Sequence, residues 1–232
     1  MASSDPPRDR DPAVSQLMVL AQAAKALHGE RDVERALDWA RRAIGTLTGL
    51  PEVAVCLLPR HGSATWSVGD STMAFPALGD PRMWPLTRRG LDAGHPVLVT
   101  DLASAERALP VTAQLARLVP LASVLVAPVL SRDGLAQGVI VAGDIVPRDL
   151  DEGQVEAVRA LAAHLGVALD NSATLARMAQ VEARGKEVVH ALQEAVRPPA
   201  PVIPFTELGV HYVAADPDAP TGGDLYDWLV LP

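Results

Sequence analysis

The sequence predicts an α/β domain of the α+β type, in which an antiparallel sheet is flanked by helices and followed by a long helix. Two segments with helical spacing precede the first apolar strand-like run, and two later apolar runs are joined by Asp133-Gly134. Asp-Gly between β-prone runs predicts a hairpin, because its turn requires positive φ. Residues 151–197 lack proline and keep helical spacing, which predicts a helix about 70 Å long.

Composition narrows the class of protein. The chain has 232 residues, of which 49% are hydrophobic, and a net charge of -8, so one domain plus an appendage is expected. No basic patch stands out, which argues against nucleic acid as a partner. The longest apolar run is too short to cross a bilayer, and residues 1–10 lack a signal core. We therefore expect a cytoplasmic protein without membrane contact, with residues 1–10 as a disordered tail.

Two helices open the folded part. Asp11-Pro12 places proline at a first helical position, and this helix should end at residues 28–30. A second helix should run from Asp32 to Gly49, a typical helix-ending glycine. The residues predicted to face the core from these helices are Leu17, Leu20, Ala21, Ala24, Leu27, Val33, Leu37, Ala40, Ile44 and Leu47.

Strand signals come next. Residues 53–58 and 65–68 are predicted as strands, 73–81 as loop, 83–93 as a short helix and 97–100 as another strand. Residues 101–120 are predicted as loop and short helix. The hairpin strands at 123–130 and 135–142 are apolar on both faces, which places them at the centre of a sheet covered by helices.

The long helix carries a 3-4 spacing of apolar residues. Asp151 and Gln154 fit a capping box at its start. The spacing predicts a parallel dimer seam that pairs two copies of the chain, with a joint near Gly185, where the seam lapses. The alternative is an amphipathic helix packed wholly on its own domain. The predicted seam residues are Val158, Leu161, Leu165, Leu169 and Leu175.

Residues 11–175 resemble a GAF domain, in their order of elements and in the segments SVLVAPVLSRDGLAQGVIVAG and ALDNSATLARM. The resemblance implies a sensory domain that dimerises and can take a small ligand, with helix 151–197 shared between this domain and the C-terminal segment. Trp84 and His95 flank the segment where GAF ligands usually lie and are weak candidates for the ligand site, although packing explains each equally well.

The sequence gives little support for several classes of ligand that GAF domains bind. The cyclic-nucleotide signature is absent, and a single cysteine, Cys56, cannot supply both thiols of a methionine-sulfoxide reductase. Cys56 also lacks the context of a bilin attachment site and is predicted to be a core residue. Haem through His61 or His95 is a minor alternative.

The last forty residues, LQEAVRPPAPVIPFTELGVHYVAADPDAPTGGDLYDWLVL, resemble the opening of PPM-type serine phosphatases related to sporulation stage II phosphatase E. The matching motif is Gly222, Gly223, Asp224, Tyr226 and Asp227. The resemblance implies that Asp224, and less clearly Asp227, would ligate one of two Mg²⁺ or Mn²⁺ ions. It also implies a phosphoserine protein substrate in a sigma-factor switch. The alternative without a metal-binding role is that this motif is only a capped turn between two strands.

The later metal-ligand motifs of that family do not occur within the 232 residues. We therefore expect residues 198–232 to be a truncated, poorly ordered phosphatase start, and this chain alone to hold no metal and have no enzyme activity. The predicted function is the sensory module of a PPM-type protein serine/threonine phosphatase. The alternatives are a non-sensing dimerisation scaffold and a free-standing GAF protein that binds a small ligand.

Overall fold

The structure is a computed structural model that describes residues 12–58, 64–68, 71–74, 80–105, 121–196, 199, 201–209, 211 and 228–229. The chain divides into two compact units, Met1–Ala173 and Thr174–Pro232. The predicted tail at 1–10, His61 and the phosphatase motif at 222–227 lie outside the described residues.

Two helices begin the first unit, α1 at Pro12–Gly29 and α2 at Val33–Thr48. The Asp32 carboxylate caps α2 by accepting the Glu34 N–H at 2.9 Å, and Gly49 ends it at φ 70°. The predicted face of α2 is confirmed, since Leu37, Ala40, Ile44 and Leu47 are buried. For α1, the predicted core-facing residues are confirmed at the end of the helix, where Leu27 is fully buried. They are wrong at its start, where Leu17 is 67% exposed, and Ala23 packs into the core instead.

The sheet has six antiparallel strands in the order β3-β2-β1-β6-β5-β4. Their bounds are Glu52–Leu57 (β1), Thr65–Val68 (β2), Ser71–Ala74 (β3), Val97–Val99 (β4), Ser123–Leu130 (β5) and Ala136–Asp144 (β6).

Strand β3 corrects the sequence prediction, which placed loop from residue 73. Met73 pairs with Trp66 and Ala74 with Thr65. A four-residue edge strand has too little pattern of its own to be recognised, because its stability comes from pairing with β2.

The β5–β6 hairpin confirms the strongest strand prediction. Both strands are buried on both faces along most of their length, as expected of central strands covered by helices. Gly134 takes φ 76° in the turn, a conformation that residues with a β-carbon rarely adopt.

Short helices connect the strands on the second half of the sheet. A 3₁₀ turn at Pro81–Met83 leads into α3 at Pro85–Ala93, and α4 at Leu102–Ala105 follows β4. Gly94 ends α3 at φ 70°, which agrees with the predicted end of the short helix at residue 93. Apolar side chains on one face of the sheet pack with α1, α2 and the start of the long helix, and those on the other face pack under α3.

The long helix is α5, Glu152–Val196. Its capping box is confirmed, since the Gln154 N–H donates to Asp151 Oδ1 at 2.8 Å and the Asp151 N–H donates to Gln154 Oε1 at 3.0 Å. Among the described residues, no helix is long and apolar enough to span a membrane.

Four of the five predicted seam residues lie in the domain's own core, so their assignment to a dimer interface was wrong. Leu175 alone is substantially exposed, at 46%. The 3-4 spacing arose because α5 packs its apolar face into the same cluster as α1, α2 and the sheet. The buried residues are Val158, Leu161, Leu165 and Leu169.

Candidate functional site

The second face of the sheet carries an apolar cluster separate from the main core. Strand alternation sends successive side chains to opposite faces, so Cys56 lies on this face while its neighbour Val55 faces the main core. Helix α3 and Trp84 cover the strands here. The buried members are Cys56, Trp84, Leu86, Val124, Val126, Val139 and Val141.

Gly90 lets α3 lie close to the sheet. A β-carbon at this position would stand 3.2 Å from Val126 Cγ1 and 3.6 Å from the Val126 carbonyl oxygen. That spacing is at the tight end of van der Waals contact, so a larger residue would push α3 away from β5. The second face is therefore a closely fitted surface where α3 crosses Val126.

Trp84 is held at the start of α3 by the preceding turn. Asp80 caps that turn by accepting the Arg82 N–H at 2.9 Å, and the Trp84 N–H donates to the Pro81 carbonyl at 3.0 Å. The Trp84 side chain is only 6% exposed and belongs to the second-face cluster. The Trp84 side chain therefore packs against the second face of the sheet as part of this apolar cluster.

His95 lies at the other end of α3. It follows Gly94, its side chain is exposed, and its Nδ1 is 3.0 Å from the Pro96 carbonyl oxygen. The mostly helical path from Trp84 to His95 corresponds to about 16 Å at the rise of an α-helix. The two candidate ligand residues therefore do not form one site.

Cys56 is a protonated core thiol. It is fully buried and free of any disulfide. Burial raises its pKa to about 12; the Asp80 carboxylate adds to this rise, and the Arg82 guanidinium opposes it. Because only the thiolate is a good nucleophile, Cys56 is unsuited to attach a pigment or run redox chemistry. The prediction of a core residue is confirmed.

An open cleft of about 230 Å³ lies beside the end of β5, at Pro128 and Leu130. Strand β4 pairs only with residues 124–126, so β5 extends past it and one side of α5 forms the opposite wall. The lining residues are Gly94, Pro96, Pro128, Leu130, Ser131, Arg132, Arg159, Ala163 and Val167.

Both arginines of this cleft already have partners. The Arg132 guanidinium donates to Asn171 Oδ1 at 3.0 Å and its backbone N–H to Asp170 Oδ2 at 2.9 Å. Arg159 donates to Glu156 at 2.7 Å. Sequence reasoning missed the cleft because its residues come from three distant segments. The sequence analysis did single out the segment ALDNSATLARM, which contains Asn171. The hydrogen bond from Arg132 to Asn171 connects the hairpin turn to α5.

The sequence predicts metal ligands only in the phosphatase motif. Among the residues that the structure describes, no group of three or more His, Cys, Asp or Glu side chains could hold a metal ion. Asp224 and Asp227 lie outside the described residues, so their placement stays a prediction.

Comparison with known proteins decides the family. A family model for the GAF domain matches residues 30–170, more than half of the chain. The chain belongs to the GAF family. The match covers α2, the whole sheet and the buried part of α5. Among the elements that form the two apolar clusters, α1 lies before the matched residues. A comparison with curated proteins finds no match.

Solved structures show the same fold. The GAF domain of an Acinetobacter phosphoenolpyruvate-protein phosphotransferase is 16% identical with a TM-score of 0.54, over 69% of this chain and 95% of that one. A free methionine-R-sulfoxide reductase from Neisseria meningitidis, solved with its substrate, is 20% identical with a TM-score of 0.56, over 75% and 97%. A GAF domain from a Pseudomonas syringae pv. tomato sensor histidine kinase is 16% identical with a TM-score of 0.50, over 72% and 93%. At these identities the likeness shows the GAF fold alone.

Proposed function

We propose that this GAF domain is the sensory input of a PPM-type protein serine/threonine phosphatase. A small, mainly apolar molecule binds on the second face of the sheet, and α5 passes the response towards residues 198–232. The observation that carries the sensory part is the second apolar cluster, which lies on the opposite face of the sheet from α1, α2 and α5.

The chemistry of the second face sets the ligand class. Its buried members are valines, Leu86, Trp84 and a neutral thiol, so the favourable contribution is burial of apolar surface, about 25 cal/mol per Å². A protonated Cys56 supports reversible rather than covalent binding. Reversible binding suits a sensor, because the ligand must leave when its concentration falls.

A binding experiment tests the sensory part. The purified protein would be denatured and any released small molecule identified by mass spectrometry, with a thermal-shift screen of apolar metabolites in parallel. We expect Trp84→Phe to weaken binding of the identified compound about tenfold, roughly 1.4 kcal/mol. Trp39→Phe is the matched control, because Trp39 is 43% exposed on α2. If no compound is released and none raises the melting temperature, the dimerisation-scaffold alternative is favoured instead.

The phosphatase part rests on the resemblance of the last forty residues. In the complete family Asp224 would help to hold two Mg²⁺ or Mn²⁺ ions, which favour carboxylate oxygens and activate water for attack on phosphate. The 232 residues offer only Asp224 and Asp227 in matching positions. They therefore do not fit a two-metal site by themselves. The proposed substrate is a phosphoserine protein of a cytoplasmic sigma-factor switch.

The reading frame beyond codon 232 tests this part separately. We expect it to encode the remaining metal-ligand motifs, and Asp224→Ala in that protein should abolish Mn²⁺-dependent release of phosphate from a phosphoserine peptide. A stop codon directly after Pro232 would refute the phosphatase assignment and leave the ligand-binding GAF protein.

A further inference from the structure

The cleft beside the end of β5 is separate from the second face of the sheet. None of its lining residues belongs to the second-face cluster. Its apolar surface comes in part from Pro128 and Leu130 at the end of β5, and in part from Ala163 and Val167 on α5. Residues four apart lie on the same side of a helix, so Ala163 and Val167 form one apolar strip along the cleft.

Arg159 lines the cleft with its charge already matched. Its Nε donates to Glu156 Oε2 at 2.7 Å, and its Nη2 donates to Glu156 Oε1 at 2.5 Å. This two-point pairing places a full negative charge on one edge of the guanidinium. A further anion would therefore gain little from Arg159, because the Glu156 carboxylate repels it.

Arg132 differs, because no carboxylate pairs with its guanidinium among the described residues. Its Nη2 donates to the neutral Asn171 Oδ1 at 3.0 Å. The nearby Asp170 carboxylate instead accepts the Arg132 backbone N–H at 2.9 Å and the side-chain amide of Gln137. A guanidinium carries five N–H donors in a fork that matches a carboxylate. Because the Arg132 side chain is exposed, its remaining donors are open to a ligand.

The volume of the cleft sets the size of the molecule that fits. A volume of about 230 Å³ holds roughly eight groups of the size of a water molecule, at about 30 Å³ each. Hexanoate has about that number of non-hydrogen atoms. A positive charge next to an apolar strip suits a carboxylate on a short hydrocarbon chain.

We propose that this cleft binds a short aliphatic monocarboxylate, with the carboxylate on the Arg132 guanidinium and the chain along Ala163 and Val167. The site lies wholly within the first unit of the chain. The bound carboxylate is next to the hydrogen bond by which Arg132 connects the hairpin turn to α5. The proposal depends neither on a ligand at the second face nor on the phosphatase.

A series of probe molecules tests the chemistry of the site. Acetate, butyrate, hexanoate and octanoate would each be titrated into the ¹⁵N-labelled full chain, with binding followed by NMR chemical shifts. We expect affinity to rise about twofold per methylene up to hexanoate, since an open cleft buries only part of each group, and to level off at octanoate. Hexanamide has the same size without the charge and should bind about tenfold more weakly than hexanoate.

Variants with matched controls test the charged group. Arg132→Gln should weaken hexanoate binding about tenfold. The control is the double variant Glu156→Gln with Arg159→Gln, which removes the other arginine of the cleft without changing the net charge. It should change the affinity less than about twofold, because exposed ion pairs contribute little.

A second pair of variants tests the space in the cleft. Ala163→Leu would fill the strip and should block hexanoate. Ala183→Leu makes the same change at an exposed position of α5 outside the cleft and should leave binding unchanged. Circular dichroism would confirm that each variant is folded. If Arg132→Gln does not fold, the comparison of hexanoate with hexanamide and the two leucine variants decide the proposal.

Several results would overturn the proposal. One is hexanoate binding that does not saturate by about 20 mM, well above the roughly millimolar Kd expected of so small a ligand. Equal affinity for hexanamide or for inorganic phosphate would show that the site does not select an aliphatic carboxylate. Binding that Trp84→Phe weakens and Arg132→Gln does not would place hexanoate on the second face instead.

Discussion

Gly166→Ala in α5 should destabilise the domain, although helix propensity alone predicts that it would help. Replacing glycine by alanine inside a helix is worth about 1 kcal/mol. Here a β-carbon at 166 would overlap the Leu130 carbonyl oxygen. That oxygen is backbone in a central strand and cannot rotate aside, so α5 or β5 must shift. Overpacking of this kind costs about 1–3 kcal/mol and occasionally more.

The neighbours of Gly166 keep the expected cost above the lower end of that range. Leu165 and Leu169 are packed in the main core on the same helix, so any displacement of α5 opens contacts that they make. We therefore expect Gly166→Ala to lower the free energy of unfolding by about 2 kcal/mol. For a domain of this size that corresponds to a melting temperature lower by roughly 4–8 °C.

Gly185→Ala is the matched control for this prediction. It changes the same residue type in the same helix, where an added β-carbon meets nothing within 4 Å, so it should leave stability unchanged or raise it. Urea unfolding followed by circular dichroism measures both variants, provided that the m-value stays constant. A Gly166→Ala protein as stable as the wild type would show that the close contact between α5 and β5 is not formed.

Three further outcomes are expected from the structure. Leu165→Asp should unfold the GAF domain rather than separate folded monomers, because Leu165 is fully buried and an unpaired charge in a core is strongly destabilising; a folded, stable Leu165→Asp monomer in sedimentation would contradict this. Cys56 should resist alkylation until the protein unfolds. The unfolded thiol releases its proton near pH 9 and the folded thiol near pH 12, so stability should fall by roughly 1.4 kcal/mol per pH unit in that window, and Cys56→Ser should flatten the fall. The chain should not hydrolyse p-nitrophenyl phosphate with Mn²⁺, and turnover that Asp224→Ala removes would show that its carboxylates suffice.

Local signals predicted most of the GAF fold. Asp32 and Gly49 mark the two ends of α2, and Asp133-Gly134 marks the central hairpin, because each of these positions needs a specific backbone conformation or cap. Strand β3 gave no such signal, since its pairing with β2 stabilises it more than its own four residues do.

The candidate site was harder to predict because it depends on which distant segments meet. Trp84 and His95 were paired by their position around one segment, yet α3 holds them at opposite ends. The cleft near Arg132 and Arg159 joins the connection between α3 and β4, the end of β5 with its turn, and α5, which are far apart in sequence. No spacing rule encodes that assembly, whereas the buried state of Cys56 followed from its place in an apolar strand.

Helix α5 shows why an apolar spacing alone cannot identify a dimer interface. The spacing states which residues share a face, but the same 3-4 pattern serves a helix packed on its own sheet and a helix packed on a second chain. Burial separates the two cases: Leu165 is enclosed by its own domain, whereas Val188 is more than half exposed. The sequence therefore assigned to a dimer seam four residues that the domain buries itself. The face that still lacks a partner in the described structure begins after residue 173, where the domain's own cover ends.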